Sequence, residues 1–295
     1  MTVETERFGS AKRSIPAFAR VGPSLRRAWA ERELLQNLLL RDLRSRYRRT
    51  LIGWGWSMLN PAATTLVYSI VFVYFLTVSP DPGDPSGITY YAFYLLAGIL
   101  PWNVLVNGVT QGTGALLGGA ALISKVKFAR EHLVIATVLS LVVSLFVELG
   151  VLAGLELITG YVMLQMVPFV FILVALLTLF TTGLALWASA LNLRYRDVQH
   201  ITSVGFLVWF YLTPIIYPPR LIPVTMQAWG VSIPVRRILQ LNPMARFVMA
   251  FRNCFFDIRA PGLNTMLGLF VMSVVTFLLG YRFFTRRSPW FAEEL

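Results

Sequence analysis

The sequence predicts an all-α membrane protein with six transmembrane helices, an N-terminal amphipathic interface helix and short re-entrant helices before the last span. Three observations carry this prediction. Hydrophobic residues make up 56% of the 295-residue chain and charged residues only 14%, with a mean hydropathy of +0.65. Soluble domains hold about 25% charged residues, so lipid must solvate much of this surface. Several uncharged runs reach the length of about 20 residues that a spanning helix needs. The positive charge is also uneven: twelve of the 26 Lys and Arg residues fall within residues 1–50.

In chain order, residues 1–30 read as a flexible cytoplasmic lead-in with no apolar core of a cleavable signal peptide. Residues 31–52 predict the interface helix. Leu34, Leu35, Leu38 and Leu39 share one helical face, with Gln36, Asn37 and Arg41 opposite. Trp54 and Trp56 then mark the membrane boundary. The membrane domain occupies residues 53–284, with spans predicted at about 58–78, 90–112, 133–158, 166–191, 200–217 and 263–284. The uncharged stretch 88–123 is too long for one straight span, and Pro101 with the glycines at 112, 114, 118 and 119 predicts a broken span plus an irregular part. Pro219, Pro223, Pro234 and Pro243 divide region 218–262 into expected re-entrant pieces, with a surface-lying cap as the alternative. Residues 285–295 are expected to be a cytoplasmic tail.

Orientation follows from the excess of Lys and Arg in short loops on the cytoplasmic side. SPDPGDPSG has two aspartates and no basic residue, so it is expected outside. SKVKFARE, LNLRYRD and the C-terminal arginines are expected inside, which places both termini in the cytoplasm of a multi-pass inner-membrane protein.

No P-loop, dinucleotide-binding glycine motif or paired cleft carboxylates occur, so catalysis by this chain is not expected. Cys254 stands alone, and His132 and His200 lie 68 residues apart without ligand-spaced neighbours. No metal site or bound cofactor is expected, and both histidines read as solvated or interface residues beside cytoplasmic loops. Glu148 and Glu156 lie in a predicted span on roughly one side of the helix. They are either structural acids or part of an ion relay, and an ion-coupled secondary transporter using Glu148 is one functional alternative. Tyr68, Phe72, Phe75, Trp209, Phe210 and Tyr217 cluster along the predicted first and fifth spans. They are core, lipid-facing or belt residues, or else a stacking surface for sugar rings. A membrane glycosyltransferase would need an acidic motif on a cytoplasmic loop, where Asp197 stands by itself beside Arg196. Nucleic-acid binding by Arg41–Arg49 is disfavoured by the span that follows directly. Anionic lipid head groups are the expected partner of that helix.

Five pieces of sequence in order resemble one family. They are RDLRSRYRRTLIGWGWSMLNP, YLLAGILPWNVL, LISKVKFARE, ALNLRYRDV, and TPIIYPPRLIP with the later LNPMARFVMAFR. The resemblance, over roughly residues 33–284, is to the membrane subunit of type-2 ABC exporters for lipid-linked polysaccharides, the permeases of O-antigen and teichoic-acid export. The N-terminal extension, Arg252 and Asn253 depart from it. The resemblance implies a homodimer of six-span subunits paired with two copies of a separate ATPase, which would hold ATP and Mg. It implies a coupling helix built from Ser124, Lys125, Lys127, Phe128, Arg130 and Glu131, and a second cytoplasmic contact from Arg194, Tyr195, Arg196 and Asp197. The implied substrate is a glycan on polyprenyl pyrophosphate. Its two negative charges would suit Arg44, Arg46, Arg48 and Arg49, and its glycan would thread past the aromatics. An ABC exporter of small molecules or lipids is the alternative within this class.

Overall fold

The computed structural model describes residues 32–47, 53, 55–77, 80–125, 128–223, 225–228, 231–233, 235, 239 and 241–291. Nine α-helices lie among them. Helix α1 is Arg32–Tyr47. Helix α2, Gly55–Ser69, continues as the π-helical turn Ile70–Phe75. Helices α3 and α4 are Tyr91–Gly118 and Ala120–Lys125, and α5 is Glu131–Ile158. Helix α6 spans Val167–Asn192, α7 Val198–Tyr211, α8 Pro243–Phe255 and α9 Leu263–Arg287. A three-residue antiparallel hairpin, Met226–Ala228 with Val231–Ile233, interrupts region 218–262, where only helices were expected.

Local chemistry sets several ends. Glu131 in the first turn of α5 and Arg286 and Arg287 in the last turn of α9 complement the helix dipoles. Asn242 caps α8, accepting from Met244 N at 3.0 Å and Ala245 N at 3.4 Å, with Pro243 opening the helix.

Helix α3 is the hub. Of its most apolar stretch 78% is buried, against 11% for Met58–Phe75 and 17% for α9 with its following turn, so those two lie at the periphery. It packs against α5, α6 and α8. The larger core joins these helices through side chains such as Leu95, Leu105, Leu145, Leu177, Phe247 and Phe251. A smaller cluster gathers Leu38, Leu116, Leu133, Leu186, Phe284 and Phe291 at the end of the molecule that bears Arg130, Arg194, Arg196 and Arg286, here called the basic end. Helices α6 and α9 touch backbone to backbone. A Cβ on Gly183 would lie 2.7 Å from the backbone of Phe277, so a larger residue at the crossing would force the helices apart.

Four expectations change. Helix α3 runs unbroken through Pro101 and ends only at Gly118–Gly119, because packing on three sides overrides the missing amide. The predicted fifth span is α7 alone, 14 residues or about 21 Å, short of the roughly 30 Å of hydrocarbon. Five helices among the described residues are long and apolar enough to cross a membrane. His132 is fully buried rather than solvated, its Nδ1 2.8 Å from the Ala129 carbonyl. In the expected tail, α9 continues to Arg287 and a 3-10 turn, Ser288–Trp290, leads to buried Phe291.

Candidate functional site

At the basic end, α1 sits as its leucine pattern dictates. Leu38 is buried and Leu34, Leu35 and Leu39 are half-buried, whereas Gln36, Asn37 and Arg41 are exposed. Leu34, Leu35 and Leu38 pack against protein in the basic-end cluster. Asp42 pins the helix, bonding Arg41 at 3.0 Å and accepting from Thr137 Oγ1 of α5 at 3.3 Å. Beside this pair opens a cavity of about 460 Å³ lined by Arg41, Asp42, Ser45, Gln111, Gly118 and Thr137, among others. Both charge signs and several hydrogen-bonding groups face it. Arg44 is exposed on α1, Arg46 lies on the same helix, and Arg48 and Arg49 fall outside the described residues.

The predicted coupling residues divide. Ser124 and Lys125 end α4, and Lys127 lies outside the described residues. Phe128 packs on the basic-end cluster. Arg130 and Glu131 are held by the C-terminal end of α9: Arg130 Nη1 donates to the Ser288 carbonyl, and Tyr281 donates its hydroxyl to Glu131 Oε1 at 3.3 Å. In contrast, Arg194, Tyr195, Arg196 and Asp197 form an exposed turn between α6 and α7, with the Arg194 guanidinium 5.4 Å from the Tyr195 ring centre.

Four of the six predicted aromatics form two groups on α3, and Phe75 and Tyr217 stand apart from them. Tyr68 meets Phe72, which stacks on Tyr91 at 6.0 Å. Trp209 and Phe210 flank Trp102 at 6.0 and 5.6 Å. Tyr217 donates to the Tyr211 carbonyl at 2.8 Å, and Phe75 is exposed. Glu148 and Glu156 are both buried in α5. Neither oxygen of Glu156 has a hydrogen-bond partner among the described residues.

Sequence reasoning missed the construction beyond α7. There the backbone leaves the helix at Thr213–Tyr217 yet is largely buried. Unpaired carbonyls in such a place cost several kcal/mol each in hydrocarbon, about as much as a strong hydrogen bond. Side chains from elsewhere cap them. Arg252, only 5% exposed, donates Nη1 to Pro214 O at 2.6 Å, Nη2 to Ile215 O at 2.5 Å and Nε to Tyr94 O at 3.2 Å. Tyr91 serves Ile216 O at 2.6 Å and Tyr94 serves Tyr217 O at 3.2 Å. Asn242 donates to Leu212 O at 3.3 Å and to Thr213 Oγ1 at 3.0 Å, and accepts from Trp209 Nε1 at 2.9 Å. Gly98 makes room, since a Cβ there would lie 3.1 Å from the Arg252 guanidinium. The available signal was a charge in an apolar, aromatic-rich segment, which needs buried partners.

This architecture, several apolar helices with irregular backbone closed internally, is that of a multi-pass membrane protein. Residues 33–256 match the sequence profile of the ABC-2 type transporter family. The chain belongs to the ABC-2 type transporter family. It is similar to the O-antigen export system permease protein RfbA of Myxococcus xanthus, 28% identical over 271 residues that cover 92% of this chain and 98% of that one. Two proteins of the same name from Klebsiella pneumoniae are 25% and 24% identical, each match covering 89% of this chain and 95% of the relative. This ABC-2 transporter carries the exposed Arg194–Asp197 turn at one end and the Arg252 clamp at the other.

Proposed function

We propose that this chain is the permease subunit of an ATP-driven exporter that moves a polyprenyl-pyrophosphate-linked polysaccharide, such as an O-antigen, out across the cytoplasmic membrane. The observation that carries the reading is similarity over nearly the full length of three O-antigen export permeases. ATP and Mg would bind to two copies of a separate ABC ATPase, and two copies of this chain would form the channel. The positive-inside bias puts the basic end and both termini in the cytoplasm. A six-span count then requires α7 to be completed by residues 212–217.

Each group of residues has a physical task in this scheme. Arg44, Arg46, Arg48 and Arg49 attract pyrophosphate at the cytoplasmic surface by charge-assisted hydrogen bonds. The exposed turn Arg194–Asp197 offers charged groups to an ATPase surface, and the Phe128–Glu131 segment receives its push. Aromatics along α2 and α7 offer flat faces to sugar rings as the glycan passes. The lipid tail stays in the bilayer throughout, so the protein need not desolvate it.

The test is to co-purify the chain with its ABC ATPase and then deplete it from cells. The expected result is a stable complex and accumulation of lipid-linked glycan on the cytoplasmic leaflet. No accumulation of such a glycan would overturn the substrate.

A further inference from the structure

The C-terminal end of α9 is not a loose tail. After Arg287 the 3-10 turn Ser288–Trp290 redirects the chain, and Phe291 returns into the basic-end cluster. Its ring is fully buried and meets Phe284 edge-on at 5.1 Å. This hook grips the segment that leads into α5. Arg130 Nη1 donates to the Ser288 carbonyl, and the Arg130 guanidinium carbon lies 6.0 Å from the Phe291 ring centre. One residue on, Glu131 accepts from Tyr281, whose ring stacks on Phe277 at 5.8 Å. Two consecutive residues are thus held by three points, Tyr281 in α9 and Ser288 and Phe291 in the hook that follows it.

Helix α9 is also seated firmly along its length. Its Gly280 lies backbone to backbone on Gly183 of α6, with no side chain between to slide or re-pack. A helix of 25 residues spans about 37 Å, so α9 reaches from the basic end to the opposite one. Near its start it packs against α8, where a Cβ on Gly268 would run into the Arg246 side chain. Two turns further along α8 stands Arg252, which fixes the Pro214 and Ile215 carbonyls. Contiguous packing and hydrogen bonds therefore run from Arg130 to the non-helical segment after α7.

We propose that α9, latched to Arg130 and Glu131 by the hook Ser288–Phe291, is the rod that carries displacement of the Phe128–Glu131 segment to the opposite end of the molecule. Phe291 is its positioning residue. The inference rests on the reading that an ATPase pushes this segment, and it adds the part that receives the push. Arg130 and Glu131 cannot move without dragging the end of α9, because the hook and Tyr281 are bonded to them. Releasing the hook leaves the ATPase-facing surface in place but disconnects it from α9.

The experiment compares wild type, Phe291→Ala and Phe291→Leu as full-length chains in complex with the ATPase. Three quantities are read: complex recovered, ATP hydrolysed, and glycan exported per ATP. Phe291→Ala is expected to assemble and to hydrolyse ATP as wild type does, while export per ATP falls roughly ten-fold, a coupling loss of ordinary size. Phe291→Leu, still apolar and large, restores most of it. An unchanged ratio in Phe291→Ala overturns the proposal. So does a fall in recovery and hydrolysis together at constant ratio, which marks a purely structural role. A wild-type complex whose permease changes the ATP hydrolysis rate without moving glycan overturns the substrate reading alone. The hook is then judged by a fluorescent label on exposed Leu212 beyond α7, whose ATP-dependent response Phe291→Ala should abolish while hydrolysis holds; a response like wild type's overturns the proposal. A wild type that binds no ATPase overturns both.

Discussion

The two turns that flank α7 treat arginine in opposite ways. Before the helix, residues 193–197 close their own backbone locally, with Tyr195 N on Leu191 O at 2.9 Å and Val198 N on Tyr195 O at 3.1 Å. Arg194 and Arg196 are left at the surface. After the helix, the backbone of residues 213–217 relies on distant side chains, and Arg252 is buried against it. The first turn needs no help from elsewhere in the fold and presents its charges outward. The second cannot exist without its partners. The difference teaches that an arginine's task in this protein is read from where its donors end, because composition and position in the chain look alike in both places.

The strongest way to break this contrast is Arg252→Met. The buried Pro214 and Ile215 carbonyls would lose their donor, and each orphaned group costs about 1–3 kcal/mol, so the expected result is loss of folded protein. Monodispersity and the thermal midpoint in detergent measure it. Arg252→Lys is expected to fail as well, since one ammonium cannot reproduce the planar fork that reaches three acceptors. A variant melting like wild type would remove the clamp from the account.

Next in size is Asn242→Ala. It deletes the cap of α8 together with the partner of Trp209, for a combined loss of roughly 2 kcal/mol. Asn242→Asp keeps both accepting roles and loses only the donors to Leu212 and Thr213, so it should fall between alanine and wild type in the same melting assay.

At the other turn, Arg194→Ala with Arg196→Ala should alter stability by less than about 0.5 kcal/mol, as exposed sites do. Its effect is expected in the amount of ATPase retained on affinity purification, which drops. If stability fell and ATPase binding held, the two turns would be alike after all. The smallest effect belongs to the exposed Arg220–Asp81 pair. Asp81→Asn should shift stability by no more than about 1 kcal/mol. A much larger shift in the melting curve would show that the outer loop is load-sharing with the clamp.

These contrasts also separate what the sequence could reveal from what it could not. The leucine spacing of α1 places its buried face correctly, because a helix converts spacing directly into a face. The long apolar runs mark α5, α6 and α9 within a few residues of their observed limits. Pro101 misleads, since local chemistry argues for a break and tertiary packing decides otherwise. The Arg252 clamp leaves no local pattern at all: its acceptors are backbone carbonyls 37, 38 and 158 residues away, contributed by residues of any type. The Arg130 latch is hidden for the same reason, its partner being the carbonyl of Ser288. Faces of single helices are written in the sequence. Side-chain bonds to remote backbone are not.

The proposed function is movement of a lipid-linked glycan at the expense of ATP hydrolysed by a separate chain. It is tested most directly in proteoliposomes holding the purified permease, its ATPase and the lipid-linked glycan. Access of an external glycosidase to glycan loaded on one leaflet reads the movement. The account predicts movement to the opposite leaflet that requires ATP and stops with a hydrolysis-dead ATPase. Movement at the same rate without the ATPase, or none with it, would contradict it.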